Sequence, residues 1–65
     1  MQKFVERMIT ERDDLKGKIS RARKAIEAPP FGTDKTDIEL LSMQVEAMDT
    51  YMFWLEKRIN RELDK

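Results

Sequence analysis

Residues 38–63, Ile38-Glu39-Leu40-Leu41-Ser42-Met43-Gln44-Val45-Glu46-Ala47-Met48-Asp49-Thr50-Tyr51-Met52-Phe53-Trp54-Leu55-Glu56-Lys57-Arg58-Ile59-Asn60-Arg61-Glu62-Leu63, decide the fold. Ile38, Leu41, Val45, Met48, Met52, Leu55 and Ile59 follow one another at spacings of 3, 4, 3, 4, 3 and 4. Side chains recurring every 3.5 residues stay on one side of a helix, so this seam must bury against another helix. In heptad terms Ile38, Val45, Met52 and Ile59 take the a positions, and Leu41, Met48 and Leu55 take d. A second apolar arc, Leu40, Ala47, Tyr51 and Trp54, lies about 110° round the helix from the first. At Tyr51-Met52-Phe53-Trp54-Leu55 the helix is apolar in every direction. One partner helix cannot cover both arcs.

Upstream, residues 2–28 continue the same pattern. Val5, Met8, Leu15, Ile19, Ala22 and Ile26 fall at a and d positions, with Arg12 interrupting at an a position. Arg21, Arg23 and Lys24 come near the end of this segment, where cations favour the negative end of the helix dipole. Gly17 is unusual inside a helix, where it costs about 1 kcal/mol relative to Ala; an unoptimised surface position explains it best. Pro29-Pro30 ends the helix, because neither residue donates a backbone N–H and Pro29 drives Ala28 out of the α region. Phe31-Gly32 turns the chain. Thr36-Asp37-Ile38-Glu39 has the form of a capping box, with Thr36 as the expected N-cap and Glu39 reaching back to it.

The expected architecture is all-α: an antiparallel two-helix hairpin assembling into an oligomeric helical bundle. It is a single domain over residues 1–65, with a helix over about 2–28, a linker over 29–35 and a helix over about 36–64. A connection this short forces neighbouring helices to run antiparallel. Size argues for assembly as well. Chains of 65 residues bury little core and usually add disulfides, a metal or a partner subunit. This chain contains neither Cys nor His, which excludes disulfides and zinc sites of Cys/His type. Self-association remains, with Leu40, Ala47, Tyr51, Phe53 and Trp54 as the expected oligomer interface.

Thirteen basic and thirteen acidic residues cancel, so net charge exerts no general pull toward nucleic acid or membrane. The distribution is uneven. Residues 1–28 hold eight basic against five acidic side chains, and residues 29–65 hold five against eight. The two helices therefore attract weakly along their edges. No apolar run approaches the ~20 residues of a membrane span and no leader pattern opens the chain, so a cytoplasmic protein without a membrane partner is expected.

Catalysis is not expected. Without His or Cys there is no neutral-pH imidazole and no thiolate, and Ser20 and Ser42 lack a base. Glu11, Asp13 and Asp14 read as solvated carboxylates, and Gly32 stands alone, so neither a metal nor a cofactor is expected. Binding is another matter. Tyr51, Trp54 and Arg58 share one edge of the second helix, with Gln44 one heptad earlier. Flat rings beside a guanidinium and an amide suit a nucleobase and its phosphate. They also suit a subunit interface, and both hold if the ligand sits between subunits. Arg12, at the seam, either snorkels its charge to the water, pairs with an acid of the second helix such as Asp49 or Glu56, or offers its fork to a phosphate. The expected ligand set is Arg7, Arg12 and Arg58 for phosphates, Tyr51 and Trp54 for stacking, and Gln44 for the base edge.

Phe4-Val5-Glu6-Arg7-Met8 with Glu11 and Leu15, then Leu40-Leu41, Gln44, Glu46-Ala47-Met48, Tyr51, Leu55 and Arg58-Ile59, resemble a family of small phage proteins. These are helical hairpins named after a crAss-like phage protein. The resemblance covers nearly the whole chain and departs at the Pro-Pro-Phe-Gly linker. It implies a phage or prophage origin and action in the cytoplasm of an infected bacterial host. By looser analogy of fold and size it points to immune-evasion sponges, which oligomerise and sequester nucleotide second messengers. The expected function is thus a non-enzymatic anti-defence sponge. Its partners would be its own copies and a cyclic dinucleotide or ADP-ribose derivative. The alternative is a small helical-bundle regulator, similar to plasmid copy-control hairpin dimers, that binds RNA or blocks a host protein. Acidic Glu6, Glu11, Asp13 and Asp14 interleave with the basic residues of the first helix and weigh against RNA.

Overall fold

The computed structural model describes residues 2–65 and consists of two helices, α1 (Lys3–Glu27) and α2 (Lys35–Leu63). They fold back on each other as an antiparallel hairpin, a rod of 49 × 15 × 14 Å. The heptad seam of α2 is the one that meets α1. Val45, Leu55 and Ile59 are buried, and Ile38, Leu41, Met48 and Met52 are half-buried. From α1 the seam receives Val5, Met8 and Ile19 as buried residues and Leu15, Ala22 and Ile26 as half-buried ones. The tightest cluster, Val5, Met8, Leu55 and Ile59 with Ile9 against it, lies where the start of α1 meets the end of α2. Each such side chain, fully withdrawn from water, contributes about 1.5–3 kcal/mol.

Two cross-helix contacts on opposite edges of the seam set its register. Tyr51 donates its hydroxyl to Glu11 Oε2, and Arg23 Nη2 pairs with Asp49 Oδ2 at 2.5 Å. Glu11 and Tyr51 both take the g position of their heptads, and Arg23 and Asp49 both take e. Like edges meet in an antiparallel pair.

The ends of the helices follow local chemistry. Ala28 closes α1 with its N–H on the Lys24 carbonyl at 2.9 Å, and the prolines prevent continuation. Thr33 N–H donates to the Pro30 carbonyl at 3.1 Å, while Gly32 takes the positive φ of 88° that the turn requires. The N-cap of α2 is Asp34, not Thr36: its Oδ1 accepts from the Asp37 N–H at 2.8 Å. Helix α2 begins at Lys35, so the carboxylate of Asp34 reaches the third helical N–H, and Thr36 already lies inside the first turn.

Arg12 takes the snorkelling course of those open to it and not the cross-helix pair. It pairs with its neighbour Asp13, Nη2 to Oδ1 at 3.1 Å, and not with Asp49 or Glu56. Its stem leaves the seam and carries the guanidinium to the solvent edge, with 33% of the side chain exposed. Asp49 is meanwhile taken by Arg23. Gly17 is half-buried beneath the guanidinium of Arg21, whose Nη1 lies 3.2 Å from where a Cβ would stand.

The second apolar arc stays in water. Leu40 is 65% exposed and Trp54 61%, with Met43, Ala47, Tyr51 and Phe53 exposed beside them. The seam is thus intramolecular, and the outer stripe is left over.

Candidate ligand groove

Seven-residue spacing places Gln44, Tyr51 and Arg58 along one edge of α2, next to the Leu40, Ala47 and Trp54 stripe. On the same side of the hairpin, α1 presents a charged face. An open groove of about 700 Å³ runs along it, lined by Lys3, Arg7, Thr10, Glu11, Lys18 and neighbouring residues, with Tyr51 as the contribution of α2. The groove exists because Tyr51 leans across the seam edge to Glu11 and walls off a length of α1.

Its charge is balanced. Lys3, Arg7 and Lys18 face Glu6, Glu11 and Asp14 along the lining. Such a surface offers two kinds of contact at once: cations for a phosphate, and carboxylates that accept from the N–H groups of a base or the hydroxyls of a sugar. It does not offer the uniform positive field that draws a long polyanion.

The Tyr51 phenol titrates above its ordinary range. The hydrogen bond to Glu11 holds the proton, loss of water acts in the same direction, and the Glu11 charge adds to both; Arg58 opposes them. Arg58 is therefore within electrostatic reach of the Tyr51 hydroxyl. Next to this edge, the Phe53 and Trp54 rings meet edge to face with centroids 4.9 Å apart, and Lys57 Nζ lies 5.2 Å from the Phe53 centroid.

Of the residues expected from the sequence to bind ligand, the groove brings together Arg7 and Tyr51. Arg58 lies on the same edge as Tyr51 but does not line the groove. Gln44 and Trp54 face outward from α2, and Arg12 is turned to Asp13 at the seam. Lys3, Thr10, Asp14 and Lys18 were not anticipated. They recur at helical spacing on the outer side of α1, a pattern that also describes an ordinary solvated face, so only the position of Tyr51 distinguishes them. Among the described residues no group of three acidic side chains is placed to hold a metal ion, and no helix is long and apolar enough to cross a membrane.

A family model described as Sequestin matches residues 2–61, which takes in α1, the linker and all but the last two residues of α2. The chain belongs to the Sequestin family. No curated protein and no solved structure matches it. The Sequestin match spans the groove, the seam and the exposed stripe of α2 alike, so all three fall within the region that defines the family.

Proposed function

We propose that this Sequestin-family chain is a non-enzymatic binding protein that captures a small nucleotide-derived anion and holds it away from its receptor. The observation that carries this reading is the groove along α1, where Lys3, Arg7 and Lys18 stand within one lining with the Tyr51 ring. In this reading the cations take the phosphate, Tyr51 offers a flat face or its hydroxyl, and Glu11 and Asp14 accept from base or ribose. The ligand is retained unchanged, since the chain has no imidazole and no thiol to carry proton transfer or nucleophilic attack. The family's name suggests sequestration, and the resemblance to phage hairpins suggests a setting: the cytoplasm of an infected bacterium, with an immune second messenger as the ligand. Copies of the chain would close over the exposed stripe of α2 and narrow the open groove into a water-poor site.

Calorimetric titration with a panel of cyclic dinucleotides and ADP-ribose derivatives tests the proposal. Saturable heat is expected for at least one of them, reduced about tenfold or more in affinity by Arg7→Ala or Tyr51→Ala. Absence of heat across the panel overturns it. The balanced charge of the groove disfavours RNA, for which strongly salt-dependent binding would be the mark.

A further inference from the structure

Leu40, Ala47 and Trp54 stand at seven-residue intervals on α2, exposed, with Met43 and Tyr51 beside them. The stripe has a particular order: a large residue at each end and the small Ala47 between them. A second α2 running antiparallel, centred on Ala47, sets Leu40 against Trp54 of the other copy at both ends. At the middle it brings Ala47 against Ala47, where the two backbones approach most closely. The pattern is self-complementary in this direction, as a two-fold interface requires.

The flanking edge agrees independently. Asp37, Gln44, Tyr51 and Arg58 follow one another at heptad spacing along one side of the stripe. In an antiparallel pair like edges face each other. With Ala47 at the centre, Asp37 of one copy therefore meets Arg58 of the other, and Gln44 meets Tyr51, each twice. Parallel pairing would instead set this edge against the other flank of the stripe, Thr36, Met43, Thr50 and Lys57, and leave Asp37 without Arg58 as a partner. Among the described residues neither Asp37 nor Arg58 has an ion pair within its own chain, so both charges are available to a second copy.

We propose that two copies pair through α2, antiparallel about a two-fold axis at Ala47, and that each delivers its Gln44 to the Tyr51 of the other. The pairing gives Gln44 a place that its own chain does not. Within one hairpin Gln44 is exposed and lies off the groove, whereas in the pair its amide stands beside the tyrosine that walls the groove. Each ligand site then contains a residue from both copies. The delivery of Gln44 to a ligand rests on the binding role proposed above; the pairing itself rests only on the stripe and its edge.

The chain has no native cysteine, so single substitutions report cleanly on this geometry. Ala47→Cys, on the axis, is expected to oxidise to a covalent dimer, because each introduced thiol faces its own copy within disulfide reach. Glu46→Cys, about 100° round the helix, is expected to stay uncrosslinked. Leu40→Cys and Trp54→Cys are expected to crosslink when mixed and not when alone. Asp37→Arg should raise the dimer Kd about tenfold in sedimentation experiments, and Asp37→Arg with Arg58→Asp should restore it. All six positions are exposed, and far-UV circular dichroism verifies that each variant remains helical. A monomeric wild-type chain at micromolar concentration, crosslinking at Glu46→Cys equal to that at Ala47→Cys, or no rescue by the double charge reversal overturns the pairing. A crosslinked dimer that gives no heat with any nucleotide upholds the pairing and overturns the ligand reading; heat from a strict monomer does the reverse.

Discussion

Tyr51 of α2 donates its hydroxyl to the Glu11 carboxylate of α1, across forty residues of sequence and at the edge of the seam. This contact closes one wall of the groove and raises the pKa of the phenol. A group whose folded pKa lies above its unfolded value adds stability below the unfolded pKa, near 10 for tyrosine, and loses it as pH rises through the folded value. The contribution of the Tyr51 contact is therefore present at neutral pH and fades in alkali. Spectrophotometric titration is expected to show this tyrosine ionising late, and Glu11→Gln is expected to bring it back toward 10. An unshifted midpoint in the wild-type chain would contradict the contact.

Ile59 is 1% exposed and sits in the tightest cluster of the molecule. Ile59→Ala is expected to cost about 2–5 kcal/mol, comparable to all that a single core of this size supplies. The variant should be largely unfolded or should depend strongly on protein concentration. Urea unfolding followed by circular dichroism at two concentrations distinguishes these outcomes.

The sequence marks Thr36 as the N-cap, and the backbone of Asp37 assigns the role to Asp34 instead. Asp34→Ala should lower stability by about 1 kcal/mol, whereas Thr36→Ala should change it by a few tenths. Thermal melts of the two variants, compared side by side, check the assignment.

The two glycines call for opposite responses to alanine. At Gly17 the Cβ would meet only the mobile end of Arg21, so Gly17→Ala should stabilise by up to about 1 kcal/mol. Gly32 has open space around it but a φ of 88°, so Gly32→Ala should destabilise by about 1 kcal/mol through backbone strain alone.

Arg12 occupies a seam position yet sends its charge outward to Asp13. Arg12→Leu should raise stability by about 1 kcal/mol, since a leucine there packs into the seam in place of a partly desolvated cation. Because Arg12 does not line the groove, ligand affinity should be unchanged. A large loss of affinity would restore Arg12 to the site.

The alternation of threes and fours from Ile38 to Ile59 determined that α2 is a helix with one buried seam, and the matching run from Val5 to Ile26 determined its partner. Pro29-Pro30 and the short linker then left no topology but the hairpin. These features were legible because periodicity, helix breaking and connection length act locally. Register was not, since it depends on which edge residues meet, and both Arg12 and Asp49 found partners other than the expected ones. The outer side of α1 reads as a solvated face until Tyr51 leans over it from forty residues away. Sequence alone also marked two apolar stripes on α2 without saying which one turns inward. Only the folded hairpin decided that the seam faces α1 and the Leu40–Trp54 stripe faces water, because a single partner helix buries one side of another and leaves the rest exposed.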